Sequence, residues 1–241
     1  MWPCVTPVWV WARPMLKITN DGRKLALDQR MPSPEQTPSP GDGSKSEPDE
    51  RELAYEKYKA LYEQNDDFVG WITIDDTTID YPVMQSIGSP DFYLKHNFQK
   101  AYSDYGVPYV DEACAVGLSA NTVIYGHHMK NGTMFSSLVK YADKSYFEGH
   151  PIIRFDTIYG FGEYQVIAAF AFDTNNETFR YNEFADGNEG QFNEFISECM
   201  TRRACDTGFT AEYGDTLLTL STCEYSHTNG RFVVVAKLIT D

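Results

Sequence analysis

Two hydrophobic periods divide this chain. From Glu50 onward, Ala54, Tyr58, Leu61 and Tyr62 recur at i, i+4, i+7 and i+8, the stripe of an amphipathic helix. The period then shortens. Runs rich in β-branched and aromatic residues lie at 68–74, 79–84, 107–110, 122–125, 152–155, 164–172, 216–220 and 231–238, and each is expected as a strand. The polar turn Asp75-Asp76 separates the first two. Two helical patterns interrupt the strands. Thr133 is placed to cap a short helix carrying Met134, Phe135, Leu138 and Val139. Residues 191–202 put Phe192, Phe195, Ile196 and Cys199 at i, i+3, i+4 and i+7, a packing face. No internal repeat is visible. About eight short strands without regularly alternating helices predict a mainly β fold built as a closed or nearly closed barrel.

Residues 1–49 have neither period. The apolar stretch 2–12 is interrupted by Pro3 and Pro7 and is far shorter than the roughly 20 apolar residues of a spanning helix. It reads at most as the remnant of an anchor. Residues 32–48 hold Pro, Ser, Gly and charges with almost nothing apolar, the composition of a disordered linker. The expected organisation is therefore a tail and linker over 1–49 and one folded domain over 50–241.

Charge narrows the range of partners. The formal net charge of −15 argues against a nucleic-acid-binding surface, which needs basic patches. The five cysteines, Cys4, Cys114, Cys199, Cys205 and Cys223, form neither a CxxC pair nor a regular framework, so no zinc site or disulfide scaffold is indicated. On one helix Cys199 and Cys205 would lie about 9 Å apart, too far for a bridge unless the helix ended between them.

Three residues suggest chemistry. Cys223 follows Leu217-Leu218-Thr219-Leu220 and is expected where a buried strand emerges among polar neighbours. A thiolate attacks carbonyls, and it needs a cation nearby. His127 and His128 follow Thr122-Val123-Ile124-Tyr125-Gly126; Gly126 permits a sharp exit, and alternation lets at most one imidazole face Cys223. Such a histidine can protonate a leaving amine and later deprotonate an incoming one. Arg231 opens the run Phe232-Val233-Val234-Val235-Ala236, where its guanidinium either caps a solvated strand end or points at a developing oxyanion. His227 competes by its closeness to Cys223 in sequence; His96 and His150 have no evident context.

Taken together, Thr219-Leu220-Ser221-Thr222-Cys223, Gly230-Arg231-Phe232-Val233-Val234-Val235-Ala236 and Tyr125-Gly126-His127 resemble the motifs of the sortases, cysteine transpeptidases of Gram-positive surfaces. Asp67-Phe68-Val69-Gly70-Trp71-Ile72, then Ile79-Asp80-Tyr81-Pro82-Val83-Met84, and the helix at 191–202 are similar to class B in particular. The likeness covers about residues 50–241. It implies an eight-stranded sortase β-barrel with an N-terminal helical extension and a helix inserted before the penultimate strand. By the same resemblance Cys223 is the nucleophile, His127 the general acid/base, and Arg231 the stabiliser of substrate and oxyanion, while Tyr125, Ser221 and Thr222 line the groove. The implied reaction cuts a C-terminal sorting signal after Thr and passes the acyl group to an amine. The signal would be of the Asn-Pro-x-Thr-Asn or Asn/Ser/Pro-Pro-x-Thr-Gly type, with specificity set within residues 173–189. Expected partners are secreted proteins bearing such a signal and a peptidoglycan precursor or cross-bridge amine, on the extracytoplasmic face of the membrane. No metal, cofactor or nucleic acid is expected, and the enzyme is expected as a monomer. Acyl transfer to water, pilin polymerisation and a non-catalytic barrel that only binds sorting signals are the competing readings.

Overall fold

The computed structural model describes residues 49–175, 178–224 and 230–240. The expected tail over 1–49 lies outside them apart from Asp49, as does His227.

Helix α1 (Glu50–Gln64) begins where the Asp49 carboxylate accepts from the Arg51 amide, and it ends at Asn65, whose amide returns to the Leu61 carbonyl. Its buried stripe is Ala54 and Tyr58; the Tyr58 hydroxyl donates to Asp156 Oδ2 at 2.8 Å, tying the helix to the barrel. Eight strands follow: β1 (Phe68–Thr73), β2 (Asp80–Met84), β3 (Tyr109–Val110), β4 (Asn121–Tyr125), β5 (Ile152–Thr157), β6 (Glu163–Asp173), β7 (Leu217–Glu224) and β8 (Gly230–Leu238). They close into a barrel in the order β1-β2-β3-β4-β7-β8-β6-β5. Only β2–β3 and β4–β7 are parallel; the other six pairings are antiparallel.

Each expected strand is present within a few residues. One difference matters for the site: β7 continues past Leu220 to Glu224, so Cys223 lies inside the strand, not beyond its end. The neighbouring β8 supplies partners for every one of these added residues, and that pairing outweighs their polar character. The continuous apolar run of β8 reflects burial on both faces, with Phe232 to Ala236 all nearly inaccessible. Each buried Phe or Val side chain of that run contributes about 1.5–3 kcal/mol.

The helices show one correction. Thr133 does not cap the turn that follows it. The segment Ser136–Ala142 is a 3₁₀ helix preceded by Phe135 without a side-chain cap, and the Thr133 hydroxyl instead donates to Asn131 Oδ1. Met134, at a φ of 58°, breaks the helical path just there. A second short helix, α2 (Lys144–Gly149), is capped by Asp143, which accepts from the Ser145 and Tyr146 amides. Helix α3 (Glu189–Arg202) packs on β6 through Phe192, Phe195, Ile196 and Cys199, as its stripe predicts. It starts in a capping box between Asn188 and Gln191. The helix stops between Cys199 and Cys205, yet both remain free thiols.

Packing and capping on α3 should separate cleanly. Phe195 is buried and stacks on Phe184 at 4.8 Å. Phe195→Ala should cost about 3–5 kcal/mol and Asn188→Ala about 1 kcal/mol, read by urea denaturation. Equal losses would mean the cap, not the core face, holds the helix.

Candidate active site

Three adjacent strands build the site. Parallel pairing runs in register from Asn121↔Leu217 to Tyr125↔Ser221, and the Gly126 amide extends it by donating to the Ser221 carbonyl at 3.0 Å. The chain therefore leaves β4 level with the last residues of β7, and the two histidines that follow Gly126 emerge at that end of the strand pair. Gly126 is required for this exit: a Cβ there would sit 2.5 Å from the Phe135 ring. On the other side of β7, Cys223 pairs with Arg231 of β8. Directly opposed residues of an antiparallel pair share a face, so the thiol and the guanidinium project together. Both are half-buried.

The two imidazoles are held differently. His127 Nε2 lies 2.8 Å from the Leu94 carbonyl, and His128 Nδ1 lies 2.9 Å from the Cys223 carbonyl. A carbonyl can only accept, so each of those nitrogens carries its proton. Burial depresses the His127 pKa most strongly; the Leu94 hydrogen bond opposes this, Lys95 adds to it, Asp104 opposes it, and Arg231 adds to it. His96 and His150 have structural roles, each with its Nδ1 on a carbonyl one turn earlier, at Phe92 and Tyr146.

A wall of phenols flanks the three. The Tyr125 hydroxyl donates to Asp111 Oδ2 at 2.7 Å, and Tyr109 donates to Asp91 Oδ1 at 3.1 Å. The Tyr109 and Tyr125 rings lie 5.5 Å apart. Tyr181, from the segment between β6 and α3, shares a 2.7 Å hydrogen bond with Ser221 Oγ. Burial raises the pKa of all three tyrosines, while the Arg231 charge pulls down those of Tyr109 and Tyr181. The Arg231 charge thus acts on both phenols as well as on His127. Cys199, by contrast, is a thiol pushed up by burial and packed in the core, where it stays protonated.

Not every residue expected in the groove offers its side chain there. Tyr125 and Ser221 lie on the Cys223 face, but Ser221 is only 1% exposed and its hydroxyl is engaged by Tyr181. Thr222 alternates to the opposite face, is 2% exposed, and its Oγ1 has no hydrogen-bond partner. The pleat permits only its backbone to border the groove. Tyr181, Tyr109, Asp111 and Leu94 were not singled out from sequence. Asp111, directly after a short strand run, had a weak signal; Leu94 acts through its backbone and had none.

The sortase domain family matches residues 72–239. The chain belongs to the sortase family. It is 35% identical over 186 residues to sortase B of Staphylococcus aureus, covering 76% of this chain and 75% of that protein. Sortase B of Listeria monocytogenes is 34% identical over 188 residues, with 77% and 75% covered. Among solved structures, an S. aureus sortase B–substrate complex superposes with a TM-score of 0.69 at 32% identity, over 79% of this chain and 92% of that one. A sortase B complexed with triglycine gives 0.70 at 34% identity, over 78% and 87%. This sortase is of class B, a cysteine transpeptidase that processes sorting signals. Its family is that of Gram-positive surface enzymes. Among the described residues no helix is long and apolar enough to cross a membrane.

Two outcomes check this geometry. Ser221→Ala strands the buried Tyr181 hydroxyl and should cost about 1–3 kcal/mol. The Ser221→Ala/Tyr181→Phe pair should cost clearly less than the sum of the single changes, as a double-mutant cycle in urea would show. For His127, the depressed folded pKa means the unfolded chain binds the proton more readily. Its contribution is neutral above the ordinary value of 6.5 and becomes destabilising as pH falls through 6.5 toward the folded value. Denaturation curves between pH 8 and 5 should therefore lose less stability in His127→Gln than in the wild type; identical slopes would place the imidazole in solvent.

Proposed function

We propose that this sortase cleaves a C-terminal sorting signal after threonine and transfers the acyl group to a cell-wall amine, with Cys223, His127 and Arg231 as its working residues. The observation carrying this reading is the convergence of β4, β7 and β8, which brings a half-buried thiol, an imidazole and a guanidinium to one end of the barrel. In the first half, the Cys223 thiolate attacks the threonine carbonyl carbon, and the electron pair moves onto oxygen, where Arg231 donates hydrogen bonds. The C–N bond then breaks as His127, protonated, gives its proton to the departing amine. A thioester remains on Cys223. In the second half an acceptor amine attacks that thioester, neutral His127 takes the amine proton, and the thiolate leaves. A new amide has formed and the starting protonation is restored.

The depressed His127 pKa has a kinetic consequence. The active form needs Cys⁻ and His⁺ together, and burial makes His⁺ scarcer at neutral pH, so turnover should be slow. The substrate class favoured is Asn-Pro-x-Thr-Asn or Asn/Ser/Pro-Pro-x-Thr-Gly, with residues 173–189, Tyr181 among them, as the segment that selects. The related structure carrying triglycine supports an unhindered amine as acceptor. The proposed setting is the extracytoplasmic face of the membrane, with residues 32–48 as a tether between membrane and the domain at 50–241.

The test is a peptide panel on the full chain. Asn-Pro-Gln-Thr-Asn, Ser-Pro-Lys-Thr-Gly and Leu-Pro-x-Thr-Gly cores are incubated with and without triglycine, and products are read by mass spectrometry. Thr-specific cleavage with ligated product is expected for one of the first two cores. Cys223→Ala should abolish it, and Arg231→Lys should lower kcat about 10²–10³-fold. Cleavage that never ligates would make the enzyme a hydrolase, and turnover surviving in Cys223→Ala would remove the thioester.

A further inference from the structure

The hydrogen bond that orients His127 is accepted by a backbone carbonyl, that of Leu94, whose surroundings are tightly constrained. Leu94 closes the 3₁₀ turn Phe92–Leu94. The turn is pinned from below by Tyr93, which is fully buried. Its hydroxyl donates to Asp67 Oδ2 at 2.8 Å and accepts from Asn65 Nδ2 at 2.8 Å. Asn65 itself ends α1 and also donates to the Phe98 carbonyl at 2.7 Å, while Asp67 is paired with Lys100 at 3.1 Å. From the side, the Val107 amide donates to the Tyr93 carbonyl at 3.1 Å. Gly106, at a φ of 58°, leaves room for both carbonyls: a Cβ there would fall 2.5 Å from the Tyr93 oxygen and 2.7 Å from the Leu94 oxygen.

We propose that Tyr93 and Gly106 are positioning residues for the general acid: they fix the Leu94 carbonyl so that it holds the proton on His127 Nε2 and leaves Nδ1 as the nitrogen that exchanges protons with substrate. This rests on His127 being the acid/base of the reaction. The carbonyl favours the imidazolium, because a cationic donor makes the stronger hydrogen bond, and so it offsets part of the burial that disfavours charge. The other charges that act on the ring are Lys95 beside the turn, Asp104 after it and Arg231 on β8. Neither substitution below alters any of these charges.

Displacing the carbonyl should lower the His127 pKa. A fall of about half a unit cuts the protonated fraction above that pKa about threefold. For a pair that works as Cys⁻ and His⁺, the acid limb of the pH–kcat/KM profile then moves down by the same half unit, and the plateau falls about threefold. Tyr93→Phe removes the pin and Gly106→Ala pushes on the carbonyl directly. Tyr141→Phe is the control, since it removes an equally buried hydroxyl that bonds the His150 carbonyl at 2.7 Å, in another part of the fold.

The experiment uses the full chain, with two readouts on each variant: the ¹H–¹³C titration of the His127 ring, and the pH profile of peptide cleavage. The expected result is a His127 pKa lowered in Tyr93→Phe and Gly106→Ala, an acid limb lowered by the same amount, and neither moved in Tyr141→Phe. A ring pKa that does not move in a folded Tyr93→Phe overturns the positioning role. A ring pKa that moves while the acid limb stays fixed overturns instead the assignment of His127 as the acid on which it rests. Should Gly106→Ala fail to fold, Tyr93→Phe alone decides.

Discussion

Parallel pairing between β4 and β7 is the constraint on which the rest of this site depends. It sets the height at which the chain leaves β4, and so decides that the His127-His128 pair emerges at the end of β7 that carries Cys223. A slip of one residue would turn every β7 side chain to the other face, sending Cys223 inward and Thr222 out. The register is secured below the site by buried chemistry: Thr219 Oγ1 donates to Asn121 Oδ1 at 2.8 Å, and Asn121 Nδ2 donates to the Phe184 carbonyl at 2.8 Å. Both side chains are inaccessible, so a slipped register would leave these groups unpaired in the core.

Much of this arrangement was legible in the chain. The strand runs carry their own signal because each is short, apolar and bounded by polar turns, and the α3 stripe names its packing residues correctly. What was not legible has physical causes. The end of β7 is polar, and only its pairing with β8 shows that the strand continues. Thr133 looks like a cap, but Met134 takes a left-handed backbone that no pattern foretells. The order of β4 beside β7 joins residues nearly a hundred positions apart, which periodicity cannot reach; the resemblance carried by the cysteine, histidine and arginine motifs supplied that link.

The candidate site divides in the same way. Side chains with distinctive chemistry, Cys223, His127 and Arg231, stand out because their types and motifs are uncommon. Tyr181 was hidden in a stretch without periodicity, although it carries a buried hydroxyl onto Ser221. Thr222, expected in the groove by resemblance, alternates to the face opposite Cys223, because adjacent residues in a strand face apart. The Leu94 carbonyl is invisible to any reading of side-chain types.

Closure of the barrel separates what holds the fold from what can vary around it. Its ring of strand pairings returns to β1 through β5, so each of the eight strands has a paired neighbour on either side, although β5 borders β6 only over Glu163 to Gln165. The segments that join the strands can therefore change in sequence without opening the ring, since the ladder that closes it runs through the strands alone.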